Sequence, residues 1–156
     1  QDCTHALFLD TDQIFPADTM HRLLAWRKPI VACNIPLKTM PSYPTARARG
    51  PTMFGVPIYS NSKANPMGLE KVWRVGASIM LIDCSILKSI PKPWFEQRYS
   101  DKQQQFIGED WYFVGKAEEA GFETYIDHDL SRHIGHVGTF QYTHANIPVM
   151  DEAEAA

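Results

Sequence analysis

Cysteine is scarce in this chain. Cys3, Cys33 and Cys84 are odd in number, lie far apart and form no CxxC pair. That count excludes a disulfide framework and a thiolate zinc site, and it fits reduced, packed thiols in a cytoplasmic protein. Positive charge is not in excess: 15 Lys and Arg against 18 Asp and Glu leave a formal net charge of −3. Such a balance argues against a broad nucleic-acid footprint. No continuous apolar run is long enough to cross a bilayer, no secretory signal is visible, and no internal repeat emerges.

What is present is the composition of an ordinary globular protein. At 156 residues the chain is one domain by length, expected over 1–150 with a frayed acidic tail over 151–156. A chain of that size buries roughly 68–70% of its unfolded surface, so a core forms without staples. The chain begins with Gln, and its first strand-like run starts within a few residues, which suggests a fragment, a processed product or a trimmed chain.

Ala6 to Leu9 is a short apolar run followed by turn chemistry and reads as a strand. Asp18-Thr19 starts a helix whose apolar stripe is Met20, Leu23 and Leu24, with Pro29 as its stop. Ile30 to Cys33 reads as a buried strand. Prolines 36, 41, 44, 51, 57 and 66 then break the chain into a long irregular excursion over 36–66, in which "MFGVPIY" supplies at most a short edge strand. Val72 to Asp83, "VWRVGASIMLID", is the strongest strand candidate, interrupted at Gly76-Ala77. A short helix over Cys84–Ile90 follows, stopped by "PKPWF". Glu109 to Ala120 is a helix with Phe113, Val114 and Ala117 inward and Gly121 as its stop. "FETYID" reads as a strand, and "SRHIGHVG" as a His- and Gly-bearing loop. Strands alternating with helices indicate an α/β sheet that is at least partly parallel.

Asp10 and Asp12 follow the first apolar run. Ligands gather at the carboxyl ends of strands in open α/β sheets, and two carboxylates there offer hard oxygen ligands for Mg²⁺ or Mn²⁺. An EF-hand is excluded, because Ile14 and Phe15 stand where another oxygen ligand and a glycine belong. The plainer alternative is that one Asp caps the next helix and the other is solvated. Glu109 and Asp110 open a helix, where the dipole favours the ionised form. Asp110 shares a face with Phe113 and Ala117, so it can accept a proton or hydrogen bond from a substrate hydroxyl, or simply cap the helix. His128, His133 and His136 fall within nine residues, and His136, between Gly135 and Val137, can offer a neutral imidazole to a metal. Gly76-Ala77 lets a ligand approach the backbone or marks a bulge. Trp73 and Trp94 can stack on a sugar or nucleoside or pack in the core.

Taken in order, "FLDTDQIFPADTMHRLLAWRKPIVACN", "VGASIMLIDCSILKSIPKPWF", "GEDWYFVGKAEEAGFETYID" and "HIGHVG" resemble the glycosyltransferase A (GT-A) fold, particularly bacterial and phage family-2-like transferases. The resemblance spans most of the chain outside the proline-rich excursion and implies a Rossmann-type mixed sheet flanked by helices. It also implies roles. Asp10 and Asp12 match the D-x-D that holds Mn²⁺ or Mg²⁺ on a UDP- or GDP-linked sugar, with Asp12 the direct ligand and Asp10 also at the donor. His136 matches a histidine that completes the metal shell, and Asp110, with Glu109 beside it, matches the acidic position facing the acceptor or the transferred sugar. Gly76 and Ala77 match a small-residue segment beside the donor sugar, a region to which Trp73 is also assigned.

One departure follows. The D-x-D of this fold normally comes after a substantial nucleotide-binding half, whereas nine residues precede Asp10 here. The expectation is that residues 1–156 alone bind nucleotide weakly and turn over poorly, and that exposed apolar edges favour a homodimer. A haloacid-dehalogenase-like phosphatase, with Asp10 as nucleophile and Asp12 as acid, is the rival enzyme; Gln13-Ile14-Phe15-Pro16 fits that signature less well than small residues would. A degenerate transferase serving as a glycan-binding or assembly module is the non-enzymatic alternative.

Overall fold

The apolar run before Asp10 forms a strand, β1 (His5–Leu9), paired antiparallel with a segment more than seventy residues away in the chain. The computed structural model describes residues 3–53, 56–61, 67–101 and 104–148. After β1 come a two-residue strand β2 (Gln13–Ile14), helix α1 (Thr19–Ala25) and strand β3 (Ile30–Ala32). A hairpin of β4 (Arg47–Met53) and β5 (Val56–Asn61) precedes β6 (Leu69–Val72) and β7 (Ile79–Asp83). Helix α2 (Cys84–Ser89) leads to a second hairpin, β8 (Arg98–Ser100) and β9 (Gln105–Ile107), and then to α3 (Glu109–Glu119). Strand β10 (Thr124–Asp127), the one-turn helix α4 (His128–Ser131), β11 (Gly135–Val137) and β12 (Gln141–Tyr142) follow, with a 3₁₀ turn over His144–Asn146.

The main sheet has the order β1-β7-β3-β10-β6. Only β3 and β10 pair in parallel; the other neighbours are antiparallel. The protein is therefore a mixed α/β structure, as its alternating elements predict. Strands β3 and β7 are buried on both faces, which is why Ile30–Ala32 and Ile79–Ile82 read as unbroken apolar runs. Side chains alternate across the sheet with a period of two. Ile30, Ala32, Met80, Ile82 and Ile126 face one core with Ile86 of α2 and Phe113, Val114 and Ala117 of α3. Val31, Cys33, Ile79 and Leu81 face the other with Leu23 of α1, Leu130 of α4 and Ile134. Among the described residues no helix is long and apolar enough to cross a membrane.

Several local expectations change. "VWRVGASIMLID" is not one strand: β6 lies at one edge of the sheet and β7 lies between β1 and β3. Residues 73–78 carry the chain from one to the other, and the mainly apolar pattern hides such a crossing because Val72, Trp73 and Val75 are buried like Ile79–Ile82. The proline-rich excursion holds the β4–β5 hairpin, with a register slip between Arg49 and Thr52 that accommodates Gly50-Pro51. "SRHIGHVG" contains β11 rather than being all loop. Asp18 makes no side-chain cap to α1; instead the Thr19 hydroxyl donates to the Pro16 carbonyl at 2.7 Å. Cys3 is exposed rather than packed, Cys84 is half-buried and Cys33 is buried. Gly121 ends α3 at φ +87, as expected of a glycine stop. The expected acidic tail over 151–156, and Pro66 of the excursion, lie outside the described residues.

Candidate functional site

The site begins where β1 ends. The Asp10 backbone N–H donates to the Ser78 carbonyl at 2.9 Å, just before β7, and the chain turns through Thr11 and Asp12 into β2. Strand β2 belongs to a separate small sheet of order β12-β11-β2, in which Gln13 stands opposite His136. The Val137 N–H donates to the Asp12 carbonyl at 2.8 Å, closing the same ladder. This pairing puts the Asp12 carboxylate beside the His136 ring, with Oδ2 and Nε2 3.4 Å apart.

Both side chains are held from behind. The Gln13 side chain, 8% exposed, donates Nε2–H to Asp12 Oδ1 at 3.1 Å. His136 Nδ1 lies 2.8 Å from the Pro36 carbonyl, which can only accept, so Nδ1 carries the proton. In the neutral ring Nε2 then presents its lone pair toward Asp12, the arrangement in which a second hydrogen bond fixes a ligating imidazole. Lys38 completes the group, with Nζ 2.6 Å from Asp12 Oδ2. Its hydrogen bond, reinforced by that of Gln13, holds the Asp12 carboxyl below the usual aspartate range.

A second carboxylate stands on the other side of Ser78. Asp110 lies at the start of α3, where its Oδ1 accepts the Trp111 N–H at 2.6 Å. The Ala77 N–H also bonds its carboxylate. Its Oδ2 would be 3.4 Å from a Cβ placed on Gly76, with the Thr45 side chain at 3.6 and 3.7 Å. Gly76 and Ala77 thus form the floor beneath Asp110, while Asp10 is tied to the next residue, Ser78. Helix-start position predicts a stabilised anion, but burial raises the Asp110 pKa and the neighbouring Glu109 charge adds to it. The backbone bonds from Trp111 and Ala77 oppose this without winning. Desolvation by the packed α3 overrides the dipole here. An open cleft of about 250 Å³ lies beside Asp110, lined also by Gln105, Phe106, Ile107, Gly108 and Trp111.

The structure gathers the residues expected from sequence into two local groups. Asp12 lies beside His136, Asp110 stands over Gly76 and Ala77, and Asp10 is exposed, with its backbone N–H bonded to the Ser78 carbonyl. Glu109 is exposed beside Asp110. Trp73 does not fit a stacking role: it is 8% exposed, with the Arg74 guanidinium 4.4 Å and that of Arg49 5.2 Å from its ring centre. Trp94 is partly buried against the core and donates to the Ile90 carbonyl. His128, 2% exposed, donates from Nε2 to Glu70 at 2.5 Å and so has a different carboxylate partner from His136. Lys38, Gln13 and Thr45 had no sequence signal. Thr45 Oγ1 is buried and has no hydrogen-bond partner among the described residues.

Among the described residues no group of three or more His, Cys, Asp and Glu side chains is arranged to hold a metal, so Asp10 does not join Asp12 and His136 in a three-ligand set. The two residues that do meet offer one carboxylate oxygen and one imidazole nitrogen. Mg²⁺ is ordinarily held through one or two carboxylates, with water and substrate phosphates completing its shell, whereas imidazole suits softer divalent ions.

No protein-family model matches this chain, and no curated protein is similar enough to match. Among solved structures, the crystal structure of A197 from STIV is similar over 88% of this chain, with a TM-score of 0.57 and 21% identity. This chain spans 59% of the length of that protein. At such identity the likeness is one of fold.

Proposed function

We propose that this chain is a GT-A-type glycosyltransferase, moving a sugar from a nucleotide-diphosphate donor to an acceptor hydroxyl with Mn²⁺ or Mg²⁺ held by Asp12 and His136. One observation carries the reading. The β2–β11 pairing sets an oriented imidazole 3.4 Å from the second aspartate of the D-x-D, while the first aspartate is tied to Ser78, next to the Gly76-Ala77 floor of Asp110. A cation there would offset the charge developing on the departing diphosphate, a contribution of several kcal/mol to the barrier.

The remaining roles belong to the chain itself. Gln13 and the Pro36 carbonyl fix the two ligands before any donor arrives, so neither ligand has to turn on binding. Gly76 leaves open the space over which Asp110 Oδ2 stands. Asp110, raised in proton affinity by burial, takes the proton of the acceptor hydroxyl more readily than a dipole-stabilised carboxylate would. The cleft beside it, lined by Phe106, Trp111 and Gln105, supplies apolar faces and an amide against which an acceptor can lie.

The test is release of nucleoside diphosphate from a panel of UDP- and GDP-sugars with Mn²⁺, Mg²⁺ or chelator. Metal-dependent release that Asp12→Asn abolishes is expected. Metal-dependent phosphate release from p-nitrophenyl phosphate, lost in Asp10→Asn and with no nucleotide-sugar cleavage, would replace this reading with the phosphatase.

A further inference from the structure

Asp12 Oδ2 is where a dication would bind, and it already has a cationic partner. Lys38 Nζ lies 2.6 Å from it, closer than His136 Nε2 at 3.4 Å. The other carboxylate oxygen is engaged by Gln13, so ammonium and dication compete for Oδ2. They cannot share it closely, because two positive centres within a few ångströms repel each other.

The lysine is built to move. Its side chain is 36% exposed and springs from an exposed stretch, Leu37–Pro41. Its stem passes over Gly138, where an added Cβ would lie 3.3 Å from Lys38 Cδ. A four-carbon stem ending in a compact charge reorients without disturbing the backbone. The anchor of that stretch is firmer: the Leu37 N–H donates to the Tyr43 carbonyl at 2.8 Å, and the Pro36 carbonyl accepts from His136. A displaced ammonium therefore stays within side-chain reach of the cation.

We propose that Lys38 holds Asp12 in the cation-free protein, is displaced when the dication binds, and then contacts the diphosphate of the nucleotide that the dication carries. This rests on the transferase reading and assigns a residue to its leaving group. Lysine binds phosphate as a point charge, so it needs no fixed fork geometry to follow the anion.

Two measurements on the full chain test it, with circular dichroism confirming that each variant folds. Mn²⁺ binding is titrated by electron paramagnetic resonance without nucleotide, and UDP and GDP binding by calorimetry at saturating Mn²⁺. In Lys38→Met, Mn²⁺ alone should bind at least threefold more tightly, because the competitor is gone. The same variant should lose about tenfold in affinity for whichever diphosphate binds, the scale of one charge-assisted hydrogen bond, and Lys38→Arg should recover most of it. Unchanged or weaker Mn²⁺ binding in Lys38→Met overturns the competition, and unchanged diphosphate affinity overturns the contact. The underlying reading fails in a different way: wild type and Lys38→Met would both show no Mn²⁺ binding sensitive to Asp12→Asn.

Discussion

Asp12→Asn separates a binding carboxylate from a structural one. The substitution keeps the side-chain shape and an acceptor for Gln13, and it removes the negative charge facing Lys38 and His136. The lost ion pair is between side chains 36% and 40% exposed, and such pairs contribute about 1 kcal/mol or less. In a domain of this size each kcal/mol moves Tm by about 2–4 °C, so melting should fall by no more than ~4 °C. The effect on a dication is far larger. A unit charge ~3 Å from a doubly charged ion contributes about 3 kcal/mol even at the dielectric of bulk water, and more in a partly excluded site. Mn²⁺ affinity should therefore drop by about a hundredfold or more. Paired titrations of Mn²⁺ by paramagnetic resonance and thermal melts of both proteins read the two numbers. A Tm loss above ~8 °C with Mn²⁺ binding unchanged would show that Asp12 anchors the turn and binds nothing.

Asp110→Asn should lower turnover by about 10²–10⁴-fold, the usual range for a general base, with Mn²⁺ affinity unchanged. Because burial raises the pKa of Asp110, kcat/KM should fall with decreasing pH through a limb above the ordinary aspartate range. For folding the sign is opposite: a raised carboxyl pKa contributes stability at low pH that is lost as pH rises through it. Urea midpoints of wild type should therefore decline over that window relative to Asp110→Asn. His144 is depressed by burial while its Nε2–H donates to the Asn34 carbonyl at 2.6 Å. Its stabilising contribution is present above its unfolded value of 6.5 and lost as pH falls through the depressed one, so His144→Gln should flatten the acid limb of Tm against pH. Asp127 is 2% exposed; it caps α4 through the Leu130 N–H at 2.8 Å and accepts Trp26 Nε1–H at 2.9 Å. Asp127→Ala should cost about 2–4 kcal/mol in urea unfolding, the sum of a lost cap and a charged hydrogen bond.

What was legible in the sequence followed from local chemistry. The α3 pattern of Phe113, Val114 and Ala117 ending at Gly121 is self-contained, and so are the all-apolar β3 and the D-x-D after β1. Each can be read within a dozen residues. The failures are long-range. "VWRVGASIMLID" divides between two sheet positions, and hydrophobicity reports burial without saying beside which neighbour. Strands β2 and β11 are two and three residues long, too short for any periodicity, yet their pairing makes the Asp12–His136 contact. Lys38 sits in a proline-broken stretch with no pattern to flag it. The position of Asp110 at the start of α3 is local and readable, and so is the dipole there, whereas the burial that raises its pKa comes from residues distant in sequence. The residue type of Trp73 leaves stacking on a ligand and packing both open, and its burial against the Arg74 guanidinium is visible only in the fold.

The meeting of β2 and β11 also has a topological side. Asp12 and His136 are separated by ~120 residues of chain, and closing a loop of that length is where a clip removes the most entropy from the unfolded ensemble. A cation gripping both would tie the turn after β1 to the small β12-β11-β2 sheet, enclosing four of the five main-sheet strands, all but β1, between them. An ion that binds only the folded chain adds RT ln(1 + [L]/Kd), about 2.7 kcal/mol at a hundredfold excess over Kd. Occupancy of the site and resistance of residues 135–142 to local opening then rise together, so hydrogen exchange in a segment far along the chain from Asp12 becomes a measure of ion binding at Asp12.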